Sequence, residues 1–293
     1  MTDDDVMTRM GLEDRREELQ ELVAELIDFN EGAASAALFF GGRPVVGSRG
    51  IESEFGGNAV AKFQDLVAKL LVQEIGELGQ RGPVPNKAAS TMHITNVVRG
   101  SFGFLMEEVQ TQGQLVDTAL KAAVDDASRL MAAFADADEV KFQEAVEAVD
   151  QRVFATAGEF FDLLRQGGAT FRIVAGDNDE TFSTTAVERA VERATSTTVT
   201  EGEEPLLGRL TGALPDGHMF EFRNAMGDIV RGRVDRSITT DQLMQLNLTM
   251  LNVEAQARMR VRRVWKEGAV VRESFTLLAL GRTEGNQAHV EQA

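Results

Sequence analysis

RMRVRRVW, Arg258 to Trp265, sets four arginines within eight residues of a chain whose formal net charge is −17. The β-branched residues and the strict alternation predict a strand, in which successive side chains point to opposite faces. Arg258, Arg260 and Arg262 then share one face. Met259, Val261 and Trp265 share the other, with Arg263 intruding among them. Such a strand turns its apolar side to a core and its basic side outward.

Four similar runs surround it: LLGRLTGAL, HMFEFRN, DIVRGRVDRSI and AVVRESFTLLAL. PDG, AMG and KEG mark turns between them. TDQLMQLNLTML, after the third run, has helical spacing. Five strands with a helix after the third resemble the layout of an OB-fold or another SH3-like small barrel. That resemblance is one of layout, covers about residues 205–282, and implies a small closed sheet. Arg231 and Arg233 extend the basic face from a neighbouring strand.

The charge is unevenly spread. Residues 1–204 hold 18 basic and 37 acidic side chains, whereas residues 205–282 hold 12 and 8. Between the two parts lies TSTTVTEGEEP, Thr195 to Pro205, rich in Thr, Glu and Gly and closed by Pro. Its composition reads as a linker over 197–204. The expected organisation is an acidic α+β domain over 1–196, a linker, the small β-barrel over 205–282 and a disordered tail over 283–293.

Upstream, LEDRREELQELVAELIDF (12–29) repeats apolar residues at Leu12, Leu19, Leu22, Val23, Leu26 and Ile27, one face of a helix. ALFFGGRPVVG reads as a β-hairpin about Gly41-Gly42. GGNAVAKFQDLVAKLLVQEIG is a second amphipathic helix. LGQRGPVPNKAAS (78–90) is punctuated by Gly and Pro and reads as an irregular loop. MHITNVV and SFGFLMEEV form a further hairpin about Arg99-Gly100. Two long helices, about 114–134 and 139–165, are joined by DADE into a helical hairpin. ATFRIVAG is a strand, and TAVERAVERAT a short helix opened by Thr185 and Glu188 as a capping box.

Composition narrows the chemistry. The chain has no cysteine, so it offers no disulfide, thiolate nucleophile or Cys-based zinc site. No stretch approaches the ~20 consecutive apolar residues of a membrane span. The acidic N-terminus lacks the pattern of a signal peptide, and a cytoplasmic protein of bacterial type is expected. The strong negative charge opposes general affinity for polyanions. Phosphate-loop, G-x-S-x-G, H-E-x-x-H and G-x-G-x-x-G motifs are absent. The three histidines, His93, His218 and His289, have no metal-ligand spacing. Asp177, Asp179 and Glu188 match three positions of a calcium loop, but Phe182 stands where glycine is required. No metal and no cofactor are expected.

Two surfaces remain as candidate sites. The first is the loop and hairpin at 79–103, a cationic island in the acidic domain. Arg81, Lys87, His93, Arg99 and Ser101 would bind an anionic ligand there, unless the cations simply pair with acidic helices. The second is the basic strand face of Arg231, Arg233, Arg258, Arg260 and Arg262. It would meet a protein partner or a nucleic-acid backbone, or else it is a solvated face balanced by nearby carboxylates. The expected function is a non-catalytic interaction or regulatory protein that binds a protein partner or self-associates through the helical hairpin. A role in bacterial defence or stress is a base-rate expectation tied to no residue. The alternatives are a nucleic-acid-binding accessory protein and an enzyme or sensor acting on an anion at 79–103. No membrane partner is expected.

Overall fold

A computed structural model describes residues 32–75, 78–79, 82–98, 102–109 and 116–282. The helix expected at 12–29 and the tail at 283–293 lie outside these residues, as do Arg81, Arg99 and Ser101. The protein is mixed α+β and divides into two compact units, 1–195 and 196–293. No helix among the described residues is long and apolar enough to cross a membrane.

The first unit is built on an antiparallel sheet of β1 (Ser35–Gly42), β4 (His93–Val98), β5 (Phe102–Glu107), β6 (Ala169–Ala175) and β7 (Asn178–Phe182). Their order is β4-β5-β1-β6-β7, which puts β4 and β7 at the edges. The run about Gly41-Gly42 is therefore not a hairpin. β1 pairs with β5 and β6 instead, and the local hairpin is the small pair β2 (Val45–Val46) and β3 (Gly50–Ile51). Leu38 and Phe40 are fully buried, so β1 reads as a central strand and its partners come from far along the chain.

Helices pack on the sheet face that carries Phe40, Phe171 and Phe182. Phe55 of α1 (Ser53–Ile75) meets Phe40 edge-on at 5.7 Å, and Phe160 of α4 (Gln151–Gly167) meets Phe171 at 5.1 Å. Phe134 of α2 (Ala119–Ala135) stacks on Phe161 of α4 in a second layer. With no tyrosine in the chain, phenylalanine supplies the large aromatic surface of this core.

The expected helical hairpin is three helices. Asp150 accepts a hydrogen bond from Arg152 N and starts α4 anew, after α3 (Glu139–Ala148) has ended. A carboxylate at an N-cap competes with helix continuation, which the heptad-like apolar spacing alone does not register. α4 stops at Gly168, whose left-handed φ of 60° suits glycine. α5 (Thr184–Ser196) begins one residue earlier than expected, and Ser183 Oγ accepts from Ala186 N in place of the Thr185 capping box. The buried Arg193 of α5 donates to the carbonyls of Ala133, Phe134 and Asp136, closing the C-terminus of α2.

The second unit contains β8 (Thr197–Leu214), β9 (Met219–Asn224), β10 (Ile229–Val234), α6 (Thr240–Met250), β11 (Glu254–Lys266) and β12 (Ala269–Arg282). Residues 197–204, expected as linker, are the first part of the 18-residue strand β8. The order β10-β12-β11-β8-β9 closes on itself, because β9 also pairs with β10. Leu210, Phe220, Phe222, Met259, Val261 and Leu277 fill the inside, and Leu243 of α6 joins them. Asn247 brackets Ala213 through both backbone groups, N–H to Oδ1 at 2.9 Å and Nδ2 to O at 2.7 Å.

Candidate functional site

The arginine run of β11 faces outward as its alternation requires, and carboxylates stand beside Arg258 and Arg260. β8 lies antiparallel beside it, with Arg260 opposite Glu203 and Arg262 opposite Glu201. Arg258 reaches Glu203 at 3.7 Å. Arg260 reaches Glu201 at 3.6 Å and Asp235 at 3.6 Å. Arg231 donates to Glu221 at 2.8 Å. The TEGEE segment that looked like linker is thus the acidic partner strand of the basic one, a cross-strand charge ladder. Arg233 is exposed and has no ion pair among the described residues. On the opposite face, Arg263 is clasped by Glu204 and Glu273. The hydrogen bond from Arg263 holds the Glu204 carboxyl below its ordinary range. Trp265 is half-buried at a strand irregularity and donates its indole N–H to Thr200 Oγ1 at 2.9 Å, so it is not a core residue beside Met259.

In the 79–103 region, Arg81, Arg99 and Ser101 lie outside the described residues. Lys87 lies 3.4 Å from Asp65, which Lys69 contacts at 2.8 Å. Burial would raise the Asp65 carboxyl, but the hydrogen bond and charge of Lys69, with the charge of Lys87, hold it below its ordinary range. Arg152 of α4 spans the loop by donating to Gly79 O and Gly82 O at 2.8 and 2.7 Å. Gln64 of α1 binds the loop end, accepting from Met92 N at 2.9 Å and donating to Ser90 O. These contacts fix where β4 begins. Among the described residues no group of three or more His, Asp or Glu could hold a metal, and Asp179 of the calcium pattern instead pairs with Arg172 through two hydrogen bonds of 2.7 Å.

What the region does present is an apolar groove of about 570 Å³. Phe104 and Met106 of β5 form its floor. Gly56, Gly57, Val60 and Ala61 of α1 form one wall, and Met92, His93 and Ile94 the other, with Gln64 also lining it. Gly56 brings the helix onto the sheet: a Cβ there would stand 3.0 Å from Ile51 and 3.5 Å from Phe104. At Gly57 a Cβ would meet nothing within 4 Å. Glycine inside a helix costs roughly 0.5–1 kcal/mol relative to alanine, so Gly57 keeps space open at the expense of stability.

Edge strand β4 runs along the groove. It pairs with β5 on one side and presents Ile94 at 51% and Val97 at 45% exposure. An apolar edge strand is a template for a further strand. His93 belongs to this groove, as a rim residue with exposed surroundings. Lys87 is tied to Asp65 outside its lining. The sequence signals for the groove were the Gly56-Gly57 pair at the start of an amphipathic helix and the apolar residues of ITNV on an otherwise polar strand.

A second depression, of about 470 Å³, lies against β8, β9 and β11 and includes Arg209 and Arg223. Arg209 pairs with Glu254 at 2.8 Å, and Arg223 donates to Gly227 O at 3.2 Å. Both arginines are thus engaged by neighbouring groups. No protein-family model, curated protein or solved structure matches this chain.

Proposed function

We propose that this chain is a non-catalytic interaction protein whose first unit takes up an extended, apolar segment of a protein partner along β4. The juxtaposition of the apolar groove with the exposed edge of β4 carries this reading. A strand added to β4 gains backbone hydrogen bonds, and its alternate side chains reach Phe104, Met106 and Val60. The lining of the groove is mostly apolar, with Gln64 and His93 as its polar side chains. The chemistry favoured there is burial of apolar surface.

The paired arginines of β11 weigh against a nucleic-acid backbone as the ligand. A phosphate contact at Arg258 or Arg260 would compete with a carboxylate already in place. We read the second unit as a small barrel of OB or SH3 type, supported by five strands with a helix after the third. In this proposal it serves as a scaffold. The acidic, cysteine-free composition supports placing the protein in a bacterial cytoplasm.

The test is selection of peptides from a displayed random library on the full-length protein. The expected ligands carry apolar residues at alternate positions and lose binding to the Gly57→Leu and Ile94→Asp variants. Ligands that are uniformly acidic and respond only to arginine substitutions in β11 would overturn the proposal.

A further inference from the structure

The helix α6 of the second unit is apolar on two sides. Leu243 and Met250 are buried, and Leu246 packs against the barrel interior beside them. Met244 and Leu248, with Leu251 at the C-cap, follow at i, i+4 and i+7, a second stripe on another side of the same helix. This stripe is open to solvent: Leu248 is 79% exposed, Met244 47% and Leu251 42%. The apolar surface continues onto the sheet. Asn247, between the two stripes, holds both backbone groups of Ala213, so the helix lies beside the end of β8. The next residue, Leu214, is 64% exposed, and its cross-strand partner Met219 is 45% exposed. A surface helix ordinarily turns charged and polar residues to water, and one that is apolar on its outer side as well calls for a second packing partner.

We infer that this patch joins two copies of the chain, with α6 packed antiparallel on α6 of the second copy about a two-fold axis at Leu248. Three observations favour a second copy as the occupant. The stripe is self-complementary. With Leu248 on the axis, Met244 of one helix falls opposite the Leu251 end of the other, so apolar side chains meet along the whole stripe, as an isologous contact requires. The charge pattern also singles out this face. Chains of net charge −17 repel one another, but from Thr239 to Asn252 the sequence carries one charged side chain, Asp241. The antiparallel arrangement holds the two Asp241 residues at opposite ends of the helix pair, about 20 Å apart along the axis. The area fits as well. At their observed exposures the five side chains present on the order of 400 Å² of apolar surface. Burying it on both copies, with a rim that includes Gln245 and Thr249, reaches the roughly 1,000 Å² of a specific interface. The inference concerns the second unit and stands whether or not β4 takes up a peptide.

The test uses the full-length chain, which contains no cysteine. Light scattering behind a sizing column should give twice the chain mass at about 100 µM, a concentration at which a small interface holds two copies together. Leu248→Glu should weaken the association about 100-fold or more and leave the circular dichroism spectrum unchanged, because this side chain faces solvent in the single chain. Ile94→Asp, on the edge of β4, should leave the dimer intact. Leu248→Cys should form a disulfide-linked dimer on mild oxidation far faster than Val140→Cys, an exposed position on the first unit, since the axis brings residue 248 of both copies together. A chain that is monomeric at this concentration overturns the inference. So does a dimer that survives in a folded Leu248→Glu variant, or one abolished by Ile94→Asp, which would lie along β4 instead. Should Leu248→Glu unfold, the cysteine variants decide: disulfide formation at position 248 no faster than at 140 overturns the inference.

Discussion

Arg263 grips Glu204 with two prongs: Nη2 donates to one carboxylate oxygen at 2.9 Å while Nη1 donates to the other. Its Nε donates to Glu273 across the adjacent strand at 2.6 Å. The three side chains link β8, β11 and β12 where the sheet runs past the apolar interior. A bidentate arginine contact fixes geometry as well as charge.

Acid should loosen this part of the protein. The Arg263 hydrogen bond depresses the folded-state pKa of Glu204. Its contribution is therefore complete above the ordinary carboxylate range and is lost as the pH falls through the depressed value. Thermal melts between neutral and strongly acidic pH should show a falling midpoint for the second unit. Glu204→Gln should lower the midpoint at neutral pH and flatten part of that dependence.

The ladder on the outer face makes a different prediction. Reversing Arg260 to Glu would set a third carboxylate beside Glu201 and Asp235, both 3.6 Å from the guanidinium. The loss should be about 1–2 kcal/mol, since each partly buried pair at 3.6 Å is long and individually modest but like charges are added. Adding Glu201→Arg should restore part of it, measured by denaturant unfolding of the single and double variants. Reversing Arg258, Arg260 and Arg262 together should compromise the strand pairing rather than only a docking surface.

Gly57 separates stability from binding. Gly57→Ala should stabilise the protein by about 0.5–1 kcal/mol, because alanine favours the helix and its Cβ meets no neighbour. The same methyl narrows the groove, so affinity for a selected apolar peptide should fall. A variant that gains stability and binds unchanged would remove Gly57 from the binding surface.

Arg193 is a structural cation. Its guanidinium reaches three carbonyls at the end of α2 and lies 4.9 Å from the Phe142 ring centroid. Arg193→Ala leaves those carbonyls without a donor and should cost about 3 kcal/mol in denaturant unfolding. Arg193→Lys should recover only part, because one ammonium does not reproduce the planar fork.

Sequence alternation and turn residues were enough to locate the five strands and the helix of the second unit. They misjudged residues 197–204, because a segment of Thr, Glu and Gly looks like linker until its acidic residues are seen beside Arg258 and Arg260. Strand partnership is a property of two segments, and composition reports on one. Central strand β1 resembles half of a hairpin in sequence for the same reason: its partners β5 and β6 lie some 65 and 130 residues away. The break at Asp150 was masked by apolar spacing that continues across it. For the candidate site, the region around His93 was legible from its glycines and prolines. Its apolar character was not, since Phe104 and Met106 gain meaning only when α1 is laid beside β5.

The central claim is that β4 accepts an added strand over the groove. Hydrogen–deuterium exchange of the full-length protein, with and without a library-selected apolar peptide, measures it at the backbone. Slower exchange over His93–Val98 on peptide binding, abolished by Ile94→Asp, is the predicted result. Peptide binding that leaves the exchange of His93–Val98 unchanged would contradict it.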